Sequence, residues 1–179
     1  IKTDKMKVFK EEQRFTQTWL IIILIIAIGV PFLLGVYGII QQIIYKTPLG
    51  QRPMSDVGLI IFTISMFLLT LLIFLIKLTT KIDEKGIQYQ FYPFHFSMKK
   101  ISWNEISKVG VRTYLPISEF GGWGLRGGFF FNKGKEKAVN ISGNIGIQLI
   151  LKNGKKLLIG TQKESEAKNV LETYKSKIN

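Results

Sequence analysis

Two uncharged apolar runs decide most of what this chain can become. No Asp, Glu, Lys or Arg interrupts residues 17–45, and none interrupts residues 57–76. A bilayer core is roughly 30 Å thick and takes about 20 apolar helical residues to cross. Both runs reach that length. From Trp19 to Val30 the side chains are apolar on every face, whereas a helix lying on a surface carries a polar stripe. Spans are therefore expected at 19–45 and 57–76. The first run is longer than the roughly 7–15 apolar residues of a signal peptide, and no small-x-small cleavage site follows it. It is expected to be retained. The chain opens on Ile1 rather than methionine, which leaves its native start open.

Basic residues set an expected orientation, because Lys and Arg accumulate in cytoplasmic flanks. Lys2, Lys5, Lys7, Lys10 and Arg14 precede the first run, and Lys77, Lys81 and Lys85 follow the second. Only Lys46 and Arg52 lie between the runs. The reading is a basic cytoplasmic tail (1–16), a transmembrane hairpin (17–76) and a cytoplasmic domain (77–179), in the inner membrane of a bacterium. Trp19 and Tyr45 sit where amphipathic rings favour the interface. Pro31 predicts a kink. Neither span holds a charge, so a transport path or proton relay is not expected. Thr63, Ser65 and Thr70 can bond to their own helix, and Gly29, Gly35 and Gly38 give no GxxxG spacing.

Beyond Lys77 the periodicity changes. Alternation and turn residues suggest strands at 86–92, 94–101, 106–114, 127–131, 138–141, 146–151 and 155–160. Asn153-Gly154 is a type I′ hairpin signal. Thr161 and Glu164 have capping-box spacing. Ala167, Val170, Leu171, Tyr174 and Ile178 then mark one apolar helix face. The fold class is thus a membrane hairpin plus an α+β domain of seven strands closed by a helix.

Several phrases carry a family resemblance. They are Ile82-Asp-Glu-Lys-Gly86-Ile, Ile101-Ser-Trp-Asn-Glu105-Ile106, Gly122-Trp-Gly-Leu-Arg126, Asn140-Ile-Ser-Gly143-Asn-Ile-Gly146-Ile and Leu158-Ile-Gly160-Thr161-Gln162. In this order, behind a two-helix hairpin, they resemble the bacterial pleckstrin-homology-like (PH-like) membrane proteins over residues 81–174. The resemblance implies a partly open, seven-stranded barrel or sandwich capped by a helix. It implies no enzymatic activity, and the superfold alone chooses no ligand.

The chemistry-bearing residues are sparse. His95 is the single histidine and is read as a surface or rim residue; there is no cysteine. Neither a metal site nor a cofactor is expected. The eight carboxylates from Asp83 to Glu172 read as solvated charges rather than a catalytic pair. The sequon Asn140-Ile141-Ser142 reads as chance. Glycines 121, 122, 124, 127 and 128 lack the Lys-Ser/Thr of a phosphate loop and no helix follows them, so they read as a structural loop. Trp123 and Arg126 within it are typical interaction residues. With Phe120, Lys99, Lys100 and Arg112 they form the candidate interaction surface.

Residues 77–179 hold 18 Lys/Arg against 8 Asp/Glu. No nucleic-acid motif accompanies this excess, so nucleic acid is not the expected partner. An anionic leaflet is the nearer one, with solubility as the plain alternative. The expected function is a non-catalytic, membrane-anchored module that docks to lipid headgroups, to its own copies or to a partner membrane protein. The second reading is an accessory subunit of a larger transporter or enzyme. A pore of many hairpins lacks a polar stripe.

Overall fold

A computed structural model describes residues 7–127 and 136–178. The chain divides into two compact units, one of residues 16–76 and one joining residues 1–15 to 77–179.

The first unit is a pair of apolar helices, Thr18–Ile44 and Asp56–Leu75, each long enough to cross a membrane. Only 6% of the most apolar window of each is buried, so neither is the covered core helix of a soluble domain. The expected disturbance at Pro31 takes the form of a π-helical turn, Ile25–Gly29. Proline offers no N–H and crowds the carbonyl four residues back, and a widened turn relieves both. Gly35 and Gly38 are buried, and the helices meet there. A Cβ on Gly35 would strike the Thr63 side chain, and one on Gly38 would lie 3.2 Å from Leu59 Cδ1. Small residues let helix backbones approach without the GxxxG spacing. The Thr63, Ser65 and Thr70 hydroxyls donate to the carbonyls of Leu59, Ile61 and Met66 at 2.7–2.8 Å. Ser55 caps the second helix by accepting from Gly58 N–H at 3.2 Å. Gln42 Nε2 donates to Asp56 Oδ1 at 2.6 Å and ties the loop's ends together.

The second unit is α+β, with two open sheets that hold nine strands among the described residues, against the seven expected. The first sheet runs β1 (Phe9–Arg14), β2 (Lys77–Asp83), β3 (Gly86–Tyr92) and β4 (Lys99–Ile101), all antiparallel. The second has β5 (Ile106–Thr113), β6 (Gly124–Arg126), β7 (Glu136–Asn140), β8 (Ile145–Leu151) and β9 (Lys156–Gly160), in the order β5-β8-β9-β7-β6. Among the described residues, only β7 and β9 pair in parallel. Ile82, Ile87, Phe91, Ile106, Ile147, Leu149, Leu158 and Ile159 supply much of the core. Asn140 and Ser142 of the sequon are buried as well.

The basic stretch expected as a tail contributes β1. Its Phe9, Glu11 and Gln13 point inward and Lys10, Glu12 and Arg14 point out. Arg14 lies across from Lys77, so the strands on either side of the apolar hairpin pair directly. The strand expected at 94–101 shrinks to Lys99–Ile101, because 93–98 form a turn. Beyond Gly127, the strand expected at 127–131 lies outside the described residues. In the β8–β9 connection only Gly154 takes positive φ, whereas a type I′ turn needs two such residues. Gly154 N–H donates to Leu151 O and Leu151 N–H to Lys155 O, which makes a three-residue turn with a bulge.

The C-terminal helix is Glu164–Tyr174, and Ala167, Val170, Leu171 and Tyr174 are its buried face, as the spacing predicts; Ile178, expected on the same face, lies beyond the helix in extended backbone after the 3₁₀ turn Lys175–Lys177. Tyr174 stacks on Trp103 with centroids 5.3 Å apart. The expected capping box does not form. Thr161 Oγ1 instead accepts from Lys163 N–H and donates to Glu11 Oε2 at 2.7 Å. A capping box does form earlier, where Ser102 and Glu105 close the 3₁₀ turn Trp103–Glu105.

Candidate functional site

The glycine-rich loop holds its interaction-type side chains through internal bonds. Pro116–Phe120 is a short helix with proline in its first turn, where a missing N–H costs nothing. It ends on Gly121 at φ 71°, and Gly122, Gly124 and Gly127 also take positive φ. The structural reading of these glycines follows from that geometry. Trp123 Nε1 donates to Gly143 O at 3.0 Å, and Arg126 Nε donates to Trp123 O at 3.0 Å. Gly124 N–H donates to Asn140 Oδ1, while Asn140 Nδ2 donates to Tyr114 Oη at 2.8 Å. Phe120 meets Tyr114 edge-on at 5.9 Å.

Arg112 braces the same region from β5. It donates to Gln148 Oε1 at 2.9 Å and to Glu119 Oε2 at 2.8 Å. That guanidinium holds the Glu119 carboxyl below its ordinary range. Four of the six expected surface residues therefore cluster on one loop and its supports, with guanidinium and indole groups bonded within the unit.

Lys99 and Lys100 lie elsewhere and belong to a different construction. They join Lys137, Lys155 and Lys156 around a cleft of 520 Å³ lined also by Tyr89, Ile101, Leu151 and Leu157. The topology brings them together. Lys99 pairs with Tyr89 on the first sheet, Lys137 pairs with Leu157 across the parallel β7–β9 ladder, and Lys156 opens β9. Among the described residues, none of the five ammonium groups has a carboxylate within ion-pair distance. Like charges around one concavity, over an apolar floor, focus a positive potential and concentrate anions there. Lys99-Lys100, Lys155-Lys156 and Lys137, the last of the run Lys133-x-Lys135-x-Lys137, stand out in the sequence as basic runs. That they rim one cleft over an apolar floor does not, because only the fold assembles them.

His95 is buried rather than on the surface or rim, 8% exposed in the turn after β3. Its Nδ1 accepts from Phe91 N–H at 3.3 Å, and its ring meets Tyr89 edge-on at 5.7 Å. Burial, and then the Lys99 ammonium, hold its pKa below the ordinary value. The unfolded chain therefore takes up a proton below roughly pH 6.5 while the folded chain resists it. Stability from this source is full above that pH and falls as pH drops toward the depressed value. Thermal unfolding of the detergent-solubilised chain should show a lower Tm at pH 5.5 than at 7.5, and His95→Gln should flatten the difference. An unchanged pH slope in the variant would remove this role.

Comparison of the chain with known protein families, curated proteins and solved structures gives no match.

Proposed function

We propose that this chain is a membrane-anchored, non-catalytic module of PH-like type that binds anionic lipid headgroups at the cytoplasmic face of a bacterial membrane. The observation that carries the reading is the cleft rimmed by five lysines that have no carboxylate partner among the described residues. Each Lys near an anionic leaflet contributes about 1 kcal/mol, within a Debye length. The two apolar helices supply the anchor. Direct β1–β2 pairing brings the hairpin's flanks to one sheet edge, which agrees with both termini on one side. A run of antiparallel strands followed by an amphipathic helix supports the PH-like reading; the parallel β7–β9 pair departs from it.

The test uses the full chain extracted in mild detergent from membranes containing anionic and zwitterionic lipid. Native mass spectrometry should find anionic lipid retained selectively, with retention falling as salt rises. Changing Lys99, Lys100, Lys155 and Lys156 together to Gln should lower that retention by at least about tenfold, from the per-lysine contribution. Unchanged selectivity would sink the proposal. Recovery in fixed stoichiometry with a larger membrane protein would assign the cleft to that partner and make the chain an accessory subunit.

A further inference from the structure

The turn at 93–98 presents two phenylalanines to the outside, Phe94 at 54% and Phe96 at 89% exposure. Exposed Phe side chains gain nothing in water, and these two are held there by construction. Phe94 stacks on the buried ring of Phe91 at 5.7 Å. His95, between them, is buried, and its N–H donates to Phe91 O at 2.8 Å. Gln90 Nε2 donates to the carbonyls of both His95 and Phe96 at 3.1 Å. The turn is a braced support with an aromatic tip.

Strand register places that tip. Tyr92, the last residue of β3, lies across from Lys77, the first residue of β2. Lys77 lies across from Arg14, the last residue of β1. The second apolar helix ends at Leu75, two residues before Lys77, and the first begins at Thr18, four residues after Arg14. The aromatic turn therefore leaves the sheet at the edge where the chain joins both apolar helices. Arg14 and Lys77 stand at that edge, and cations beside aromatic rings suit the headgroup layer.

We propose that the turn is a bilayer-contact element, with Phe94 and Phe96 entering the headgroup region of the leaflet from which the hairpin emerges. The inference rests on the membrane-anchor reading and is independent of the lysine cleft. The partner is the lipid surface itself, by continuity with the spans.

The chain has no cysteine, which permits a direct test. Single cysteines replace Phe96, Glu84 or Ile22 in the full chain, and each is labelled with an environment-sensitive fluorophore in lipid nanodiscs. Glu84 is exposed in the turn at the opposite end of the β2–β3 hairpin, roughly 20 Å away at about 3.3 Å per residue. Ile22 lies within the first apolar helix. The expected result is a blue shift at position 96 relative to 84, with loss of emission when shallow spin-labelled lipid is included. Position 22 should be quenched by deeper labels. If 96 matches 84 while 22 is quenched, the anchor stands and the turn proposal is overturned. If 22 is unquenched as well, both fall.

Discussion

Gly86→Ala is expected to destabilise the two-sheet unit by about 3–4 kcal/mol, among the largest effects any single substitution here should have. Gly86 closes the β2–β3 turn at φ 133°, a region essentially restricted to glycine. The added Cβ would collide with Ile101 O and lie 3.0 Å from Ser102 Cα. Both are backbone atoms on the segment that β3 pairs with, so relief requires moving β4 and the Ser102–Glu105 capping box. Gly154 separates the two causes. It takes φ 78°, and a Cβ added there would have nothing within 4 Å. Gly154→Ala should therefore cost only the left-handed backbone term, about 1–2 kcal/mol. Urea unfolding in detergent, followed by tryptophan fluorescence, reads both. Equal losses at the two positions would show that the close approach at Gly86 contributes nothing.

Glu11→Ala should cost about 2–3 kcal/mol. Glu11 is 5% exposed, and its carboxylate accepts from Thr161 Oγ1 at 2.7 Å and Gln162 N–H at 2.8 Å. Beside it Gln13 Nε2 donates to Gly160 O at 2.8 Å. Removing the carboxylate leaves two donors without their acceptor, and a buried unmet donor costs more than a made bond gains. Thr161→Val deletes one donor, so the double variant should be less damaging than the sum of the singles by about 1 kcal/mol or more. Strict additivity in that cycle would mean the pair does not interact.

These two residues also show where sequence reading reaches and where it stops. The apolar helices were legible because length and lack of charge are sufficient signals in themselves. The C-terminal helix was legible from its buried stripe, and β8 from its alternation. Strand β1 was not, because two of its three inward residues are Glu11 and Gln13, which erases the apolar alternation. The Thr161-x-x-Glu164 spacing predicted a cap, but Thr161 is engaged by Glu11, 150 positions away in sequence. Residues 94–101 alternate well enough to read as a strand, yet both exposed phenylalanines belong to a turn braced by His95 and Gln90. Of the candidate surface, the residues on the glycine-rich loop were found by type and prove tied to neighbouring backbone and side chains. The lysine cleft needed β4 of the first sheet to lie beside the β7–β9 ladder of the second, which no local pattern encodes.

The β1–β2 ladder has a consequence for how the chain is made. β1 is synthesised before both apolar helices, and its partner strand only after them. The ladder therefore closes a loop that contains the entire hairpin, and loop closure costs entropy before any contact rewards it. Close packing at Gly35 and Gly38 brings the hairpin's two arms together and shortens that search. A formed hairpin thereby favours completion of the first sheet, so the connectivity itself biases the order of assembly.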